Sequence, residues 1–107
     1  MIFFREASKP RLREDTKILK YWHVEVYAPQ TPDSMTSPAG VAYVMENLWP
    51  QSASMEFIFV VDQCRGFGFG KQLVEASKVR WPNLKWSGGR DEQYDGFLRS
   101  CGLIVDE

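Results

Sequence analysis

The sequence predicts a small α+β domain with a mixed, mostly antiparallel central sheet and flanking helices. Residues 22–27 alternate apolar and polar side chains, which is the period of a half-buried strand. A glycine-rich turn then leads directly into an apolar stripe with helical spacing. The chain has 107 residues, of which 44% are hydrophobic, and this suffices for one compact core. Residues 1–107 are therefore predicted to form a single domain.

The part of the chain before the glycine-rich turn predicts a four-stranded meander. Residues 22–27 alternate apolar and polar side chains, and three other segments are rich in aliphatic and aromatic residues. These other predicted strands are 2–6, 41–47 and 55–61. The charged stretch 11–20 predicts a short helix, and residues 29–40, rich in Pro, Ser and Thr, predict a loop. The short spacing of the strands favours antiparallel pairing.

The part of the chain after the glycine-rich turn predicts two helices and two short strands. The first helix runs to about Arg80, because Trp81 and Pro82 end it. A strand at 84–86 and a turn at the following glycine pair come next. Asp91 is the predicted N-cap of the second helix. Gly102 would end that helix, and residues 103–105 would form a last strand.

Charge and composition exclude several classes of protein. The chain has 13 Lys and Arg and 14 Asp and Glu residues, so it lacks the basic excess of a nucleic-acid binder. Its apolar runs are too short for a signal-peptide core or a membrane span. Two cysteines and one histidine make neither a disulfide framework nor a zinc-ligand spacing. We therefore expect a cytoplasmic domain with reduced thiols, no metal, and neither a nucleic acid nor a membrane as partner.

The functional signal lies in residues 60–71, where a strand runs through three glycines into a helix. Glycines let a ligand approach the main chain closely, and unpaired N–H groups at a helix start bind anions such as phosphates. Arg65 and Lys71 add positive charge at the edges of this turn. A tight turn whose glycines serve only packing is the alternative.

The same residues are similar to part of an RNA-binding motif. The string 65–69 matches the opening of the RNP1 motif of RNA-recognition domains, whose aromatic rings stack on bases. That motif continues with an aliphatic residue and then an aromatic one, whereas this chain has Gly70, Lys71 and Gln72. The closest match to the companion RNP2 motif is at 43–48. It is so near to 65–69 in sequence that the elements which separate the two motifs do not fit between them. An RNA-recognition module is kept as an alternative.

Residues 65–70 also match R/Q-x-x-G-x-G/A, and here the chain resembles the GNAT superfamily of N-acetyltransferases. The flanking strand and helix agree with that family, and residues 97–103 are similar to its F-Y-x-x-x-G-F segment. The resemblance covers about 41–105. It implies a GNAT-like acyl-CoA N-acyltransferase fold, here shortened, with acetyl-CoA as co-substrate. The implied activity is direct transfer of an acetyl group to a primary amine.

The resemblance also implies which residues bind acetyl-CoA. The main chain of the glycine-rich turn would hold the pyrophosphate, through Arg65, Gly66, Phe67, Gly68, Phe69, Gly70 and Lys71. The pantetheine arm would contact the main chain of the preceding strand, at Phe59, Val60 and Val61. The thioester would lie where that strand and the strand at 84–86 separate.

Glu56 is the candidate catalytic base or the residue that binds the acceptor amine. It lies on the strand before the turn, and a carboxylate facing a partly apolar cleft can accept a proton through water. The alternative is a polar residue on the solvent face of the strand. Glu46, on the neighbouring strand, would share the duty or simply be exposed, and His23 is expected to be a surface residue.

Tyr94 is the candidate acid for the departing thiolate. The tyrosine of the family motif falls at Leu98, which cannot donate a proton, and Tyr94 lies one helical turn earlier. Direct transfer needs no thiol, so Cys64 and Cys101 are interpreted as structural. The leucine leaves open a non-catalytic CoA-binding or interaction protein of the same fold.

The chain is short for the family it resembles. The family usually inserts two helices between the first strand and the position of Trp22, and its last hairpin would continue beyond Glu107. We therefore expect the CoA-binding half to be present and the acceptor half to be abbreviated. A second copy in a homodimer would complete the site, or the site would be open for a large acceptor. The amine could belong to a small molecule or to a protein.

Overall fold

The computed structural model describes residues 1–7, 19–28, 37–48, 51–89 and 91–104. The described strands are β1 (Ile2–Glu6), β2 (Leu19–Val26), β3 (Gly40–Leu48), β4 (Gln51–Val60) and β5 (Lys85–Trp86). The described helices are a single 3₁₀ turn (Asp62–Cys64), α1 (Phe69–Arg80) and α2 (Glu92–Ser100). The predicted α+β class is confirmed. No helix in these parts of the chain is long and apolar enough to cross a membrane.

The sheet has five strands in the order β1-β2-β3-β4-β5. The first four strands pair with antiparallel neighbours, which confirms the predicted meander. α1 connects β4 to β5, and β5 therefore runs parallel to β4. The β4–β5 ladder has only the pairs Ser54–Lys85 and Met55–Trp86. Within the described chain, the rest of β4 thus has an edge that β5 does not cover.

The two faces of the sheet differ. On one face, alternate residues such as Val24, Val44 and Met55 are fully buried, and Leu73 and Val74 of α1 are buried in the same core. The opposite face carries exposed aromatic side chains, and no described helix packs there. The stacked rings of this aromatic face are His23, Tyr43, Phe57 and Phe59. The alternation of the strands therefore separates a helix-covered core from an aromatic face.

A β-bulge at Glu56 interrupts the ladder between β3 and β4. Tyr43 lies opposite Phe57, but its neighbour Val44 lies opposite Met55, so Glu56 is an extra residue without a partner in β3. A bulge bends its strand and changes the direction of a side chain. On the other edge, a methyl group on Gly88 would collide with the Glu56 carbonyl oxygen. Glycine at 88 thus permits a close approach of the chain at the bulge.

Two sequence-based predictions fail within the described residues. Leu103 and Ile104 form a bend and not a strand, because Gly102 (φ 74°) ends α2 in a Schellman turn. Its two bonds run from Gly102 N to Arg99 O and from Leu103 N to Leu98 O, both 3.0 Å. Leu19 and Lys20, predicted to be helical, belong to β2. Residues 8–18 and 29–36, and Val105, lie outside the described residues.

Two glycines of the α2 region should respond oppositely to alanine. Gly102→Ala should destabilise the fold by about 1–2 kcal/mol, because its φ is positive and the new Cβ would lie 2.8 Å from Lys78 Nζ. Gly96, inside α2 and with open space around it, should gain about 0.5–1 kcal/mol on the same change. Urea denaturation of both variants measures the difference, and equal effects would contradict the Schellman turn.

Candidate functional site

A cavity of about 430 Å³ lies between the end of β4, the glycine-rich turn, the first turn of α1 and the inner side of α2. Eight of the residues predicted from the sequence line it: Val60, Arg65, Gly66, Gly68, Phe69, Gly70, Lys71 and Tyr94. The other lining residues include Ile58 and Phe97. The cavity thus combines an apolar interior with a turn that carries the positive charges.

The glycine-rich turn leads into a helix start whose first main-chain N–H groups have no helical acceptor. Gly66 and Gly68 have φ of 87° and 82°, which other residues rarely adopt, while open space surrounds both. The first α-helical bond runs from Gln72 N to Gly68 O, so the N–H groups of the preceding helical residues have no helical acceptor. Gly68 has no side chain that could cap them. Free N–H groups at a helix start, together with the helix dipole, have the chemistry that favours an anion.

Two cations lie at the rim of the cavity. Arg65 Nε donates to Val60 O at 3.2 Å and lies 3.3 Å from Asp62 Oδ1, and the guanidinium packs over a phenyl ring. These contacts hold Arg65 in place, although Asp62 offsets part of its charge. Lys71 Nζ is 3.9 Å from Glu75 Oε1, and both side chains are exposed, so this pair is weak. The ammonium of Lys71 is therefore able to turn toward an anion in the cavity.

The strand before the turn offers its main chain at only one of the three predicted positions. Val61 N donates to Ala39 O at 2.9 Å, and Val61 O accepts from Cys64 N at 2.8 Å. Successive residues direct their main-chain groups to opposite sides of a strand, so Phe59 faces β3 as Val61 does. Val60 faces the opposite edge and lines the cavity. The Val60 carbonyl oxygen already accepts from Arg65 Nε, so an extended ligand would meet the main-chain N–H of Val60.

The aromatic residues of the turn do not lie on the sheet. Phe67 is 69% exposed and does not line the cavity, whereas Phe69 is buried as the first residue of α1. The RNP1 motif requires a strand at this position, but the chain forms a turn followed by a helix. The RNA alternative therefore lacks its aromatic platform here.

The α2 side of the cavity carries Tyr94. Gly70 permits α2 to approach α1, because a Cβ at Gly70 would lie 3.1 Å from the ring of Phe97. Leu98, at the position of the family's tyrosine, is fully buried in the core. Tyr94 is half exposed and is the one phenol among the residues that line the cavity. Tyr94 and the glycine-rich turn thus share one cavity.

Cys64 and Cys101 also line this cavity, which sequence reasoning did not predict. Both are free thiols. Burial raises the pKa of the Cys101 thiol, and the neighbouring Ser100 hydroxyl opposes this shift. A raised pKa keeps the sulfur protonated and poorly nucleophilic. The signal was present in the sequence, since Cys101 follows Phe97 by one helical turn.

Glu56 lies apart from the other candidates. It lines a second cavity of about 400 Å³ on the aromatic face, together with Tyr21, His23 and Tyr43. The two cavities share no lining residue. The structure therefore brings Tyr94 to the glycine-rich turn but places Glu56 on the other side of β4. His23, expected to be a plain surface residue, belongs to the cavity of Glu56.

Glu46 forms hydrogen bonds within the fold. Its carboxylate accepts hydrogen bonds from Trp22 Nε1 at 3.0 Å and from Trp81 Nε1 at 3.1 Å. The Arg80 guanidinium lies 4.5 and 5.3 Å from the centroids of these two rings and 5.1 Å from that of Phe4. Both carboxylate oxygens are thus used within the fold, and Glu46 is neither simply exposed nor placed beside Glu56.

No model of a known protein family, no curated protein and no solved structure matches this chain. Among the described residues, no group of three or more His, Cys, Asp and Glu side chains is placed to hold a metal ion. The function proposed below therefore depends on the geometry of the two cavities and on the motif at 65–70.

Proposed function

We propose that the protein is an acetyl-CoA-dependent N-acetyltransferase that transfers the acetyl group directly to a primary amine. One observation carries the proposal. One cavity is bordered by the N-terminus of α1, which lacks a side-chain cap, by the cations Arg65 and Lys71, and by a part of β4 that β5 does not cover. Acetyl-CoA presents a pyrophosphate followed by an extended arm with amide groups, which is the chemistry that these elements complement.

In this proposal, the pyrophosphate accepts hydrogen bonds from the N–H groups of the first turn of α1. Arg65 and Lys71 add charge-assisted contacts. The pantetheine arm lies along β4 and accepts a hydrogen bond from the N–H of Val60, whose carbonyl oxygen is already bonded to Arg65. Ile58 and Phe97 cover the methylene groups of the arm. The thioester would then lie toward the point where the β4–β5 ladder ends.

The reaction needs a neutral amine, and Glu56 would accept the proton of the ammonium, directly or through water. The amine nitrogen then forms a bond to the thioester carbon, and the bond from that carbon to sulfur breaks. Tyr94 would donate its phenolic proton to the departing thiolate, and the resulting phenolate would take the second proton that the nitrogen loses as it becomes an amide. Glu56 and Tyr94 line different cavities, so the amine would approach from the aromatic face and acetyl-CoA from the helix side. The end of the β4–β5 ladder at Met55 and Trp86 supports a meeting point there.

A CoA-binding protein without catalysis is the second candidate. The fully buried Leu98 at the tyrosine position favours it. Both candidates require acetyl-CoA to occupy the same cavity, and only turnover separates them.

Calorimetric titration with acetyl-CoA should show saturable binding with a dissociation constant below about 1 mM. Because Cys101 lines the cavity, bound acetyl-CoA should also slow its alkylation at alkaline pH. A panel of primary amines should then be acetylated, and Glu56→Gln should reduce kcat by at least about 100-fold. The proposal fails if millimolar acetyl-CoA neither binds nor protects Cys101. Binding and protection without turnover would select the non-catalytic candidate.

A further inference from the structure

Glu56 differs from the other described acids of the long strands in having no partner. Glu6 lies 3.9 Å from Lys20 Nζ, Glu25 pairs with Arg5 at 2.6 Å, and Glu46 accepts from two tryptophans. Glu56 is exposed, as the alternative in the sequence analysis expected, and it forms no hydrogen bond or ion pair with any described residue. Its charge is therefore not used within the described fold.

The cavity around Glu56 is walled by aromatic rings. Tyr21, His23 and Tyr43 line it, and the His23 and Tyr43 rings stack with centroids 4.6 Å apart. The hydroxyl groups of the two tyrosines form no hydrogen bond with described residues, whereas the Tyr27 hydroxyl lies 3.4 Å from Glu25. The residues that line the cavity therefore include one carboxylate and two tyrosines whose hydroxyl groups have no described partner.

The stacking on the aromatic face limits which ligands fit. Tyr43 lies between His23 and Phe57, with ring centroids at 4.6 and 4.9 Å and interplanar angles of 29° and 30°. Both of its faces are covered, so a planar aromatic ligand such as a nucleobase cannot stack on it. Only the edge of the Tyr43 ring remains for a ligand, and a ring edge packs well against methylene groups.

We propose that this cavity binds a single primary ammonium group carried on a linear alkyl chain. Glu56 neutralises the charge, and the phenol oxygens of Tyr21 and Tyr43 accept its remaining N–H bonds. The alkyl chain lies against the ring edges of His23 and Tyr43. One carboxylate complements one positive charge, and few polar groups are available for a polyhydroxylated amine. As an ammonium site the inference stands alone; as the acceptor site it rests on the proposed function.

Titration with n-butylammonium, followed by amide chemical shifts in the absence of acetyl-CoA, tests the site. We expect saturable shifts at Tyr21, His23, Tyr43 and Glu56, with a dissociation constant of about 1 mM. The neutral 1-butanol should bind at least about fivefold more weakly. Shifts that do not saturate, or equal binding of the alcohol, would overturn the proposal.

Two variants separate a specific charge effect from a general one. Glu56→Gln keeps the shape of the side chain and should weaken butylammonium binding about fivefold to tenfold. Glu92→Gln removes the same charge from an exposed position on α2 and should change the affinity less than twofold. Equal loss in both variants would mean that only the net charge matters, and the site would be rejected.

A blocked peptide with one central lysine tests the source of the ammonium group. Saturable binding of this peptide with the same shifts indicates a protein acceptor, and binding of butylammonium alone indicates a small free amine. Either result supports the site. Butylammonium binding without acetylation would reject the proposed function but keep the site. Acetylation of other amines without butylammonium binding would reject the site alone.

Discussion

Gly68→Asp should weaken acetyl-CoA binding by at least about 100-fold and leave the free energy of unfolding within about 1 kcal/mol of the wild type. The residue precedes α1 and has a φ of 82°, a conformation that aspartate tolerates better than most residues. No atom lies within 4 Å of the position where its Cβ would be, so the side chain fits. The carboxylate would lie where the pyrophosphate is expected, and like charges a few ångströms apart repel by about 3 kcal/mol.

Gly68→Asn is the matched control, because it has the same shape and no charge. We expect the asparagine variant to lose no more than about tenfold in affinity, and calorimetry measures both. Repulsion in the aspartate variant should also decrease as salt rises, since the turn is exposed. If both variants lost affinity equally, backbone strain would be the cause and the anion site would be wrong. If neither lost affinity, acetyl-CoA would bind elsewhere.

The parts of the fold that the sequence predicted well are those that depend on local patterns. Alternation located β2, and segments rich in aliphatic and aromatic residues located the other three long strands. The pairing of neighbours along the chain then led to the meander. α1 begins after Gly68, in the glycine-rich turn, and ends before Trp81, the first residue of a Trp-Pro pair. Both signals are visible in the local sequence. The local sequence also predicts a site beside Gly68, because a turn between a strand and a helix exposes the helix N-terminus.

The parts that sequence reasoning missed depend on contacts between distant residues. No local pattern indicates that Glu56 is an extra residue in the ladder, since the bulge exists only relative to β3. The bulge changes the direction of the Glu56 side chain, and this explains why Glu56 and Tyr94 line separate cavities. Leu103 was predicted to be in a strand because its neighbours are apolar. The left-handed turn at Gly102 instead determines the path of the chain there. The role of Glu46 was hidden for the same reason, since its two partners are 24 and 35 positions away.

Glu46→Ala should destabilise the protein by about 3 kcal/mol, although the residue is not part of either cavity. Its carboxylate joins β3 to Trp22 of β2 and to Trp81 just after α1. Removing it leaves two partly buried indole N–H groups without an acceptor, and each such loss costs about 1–3 kcal/mol. Glu56→Ala, which removes an acid without a described partner, should change stability by no more than about 0.5 kcal/mol. Urea denaturation of the two variants measures the contrast.

Glu46→Gln distinguishes the hydrogen bonds from the negative charge. The amide oxygen can accept one indole N–H, but the amide nitrogen is a donor and meets the other indole as a donor. We therefore expect an intermediate loss of about 1.5 kcal/mol. A loss as small as that of Glu56→Ala would show that the carboxylate contributes little, and the cluster would then be held by the Arg80 guanidinium against the rings alone.

A double-mutant cycle tests whether Glu46 and Trp22 act as one unit. Trp22→Phe removes the N–H donor and keeps an aromatic ring beneath Arg80. In the wild type this change leaves one carboxylate oxygen without its indole donor, whereas in Glu46→Ala it removes an N–H that is already unsatisfied. The second change should therefore cost less than the first, with an interaction energy of about 1 kcal/mol or more. Additive effects would mean that the indole and the carboxylate are close without stabilising each other. The contact between the sheet and the end of α1 would then depend on packing alone.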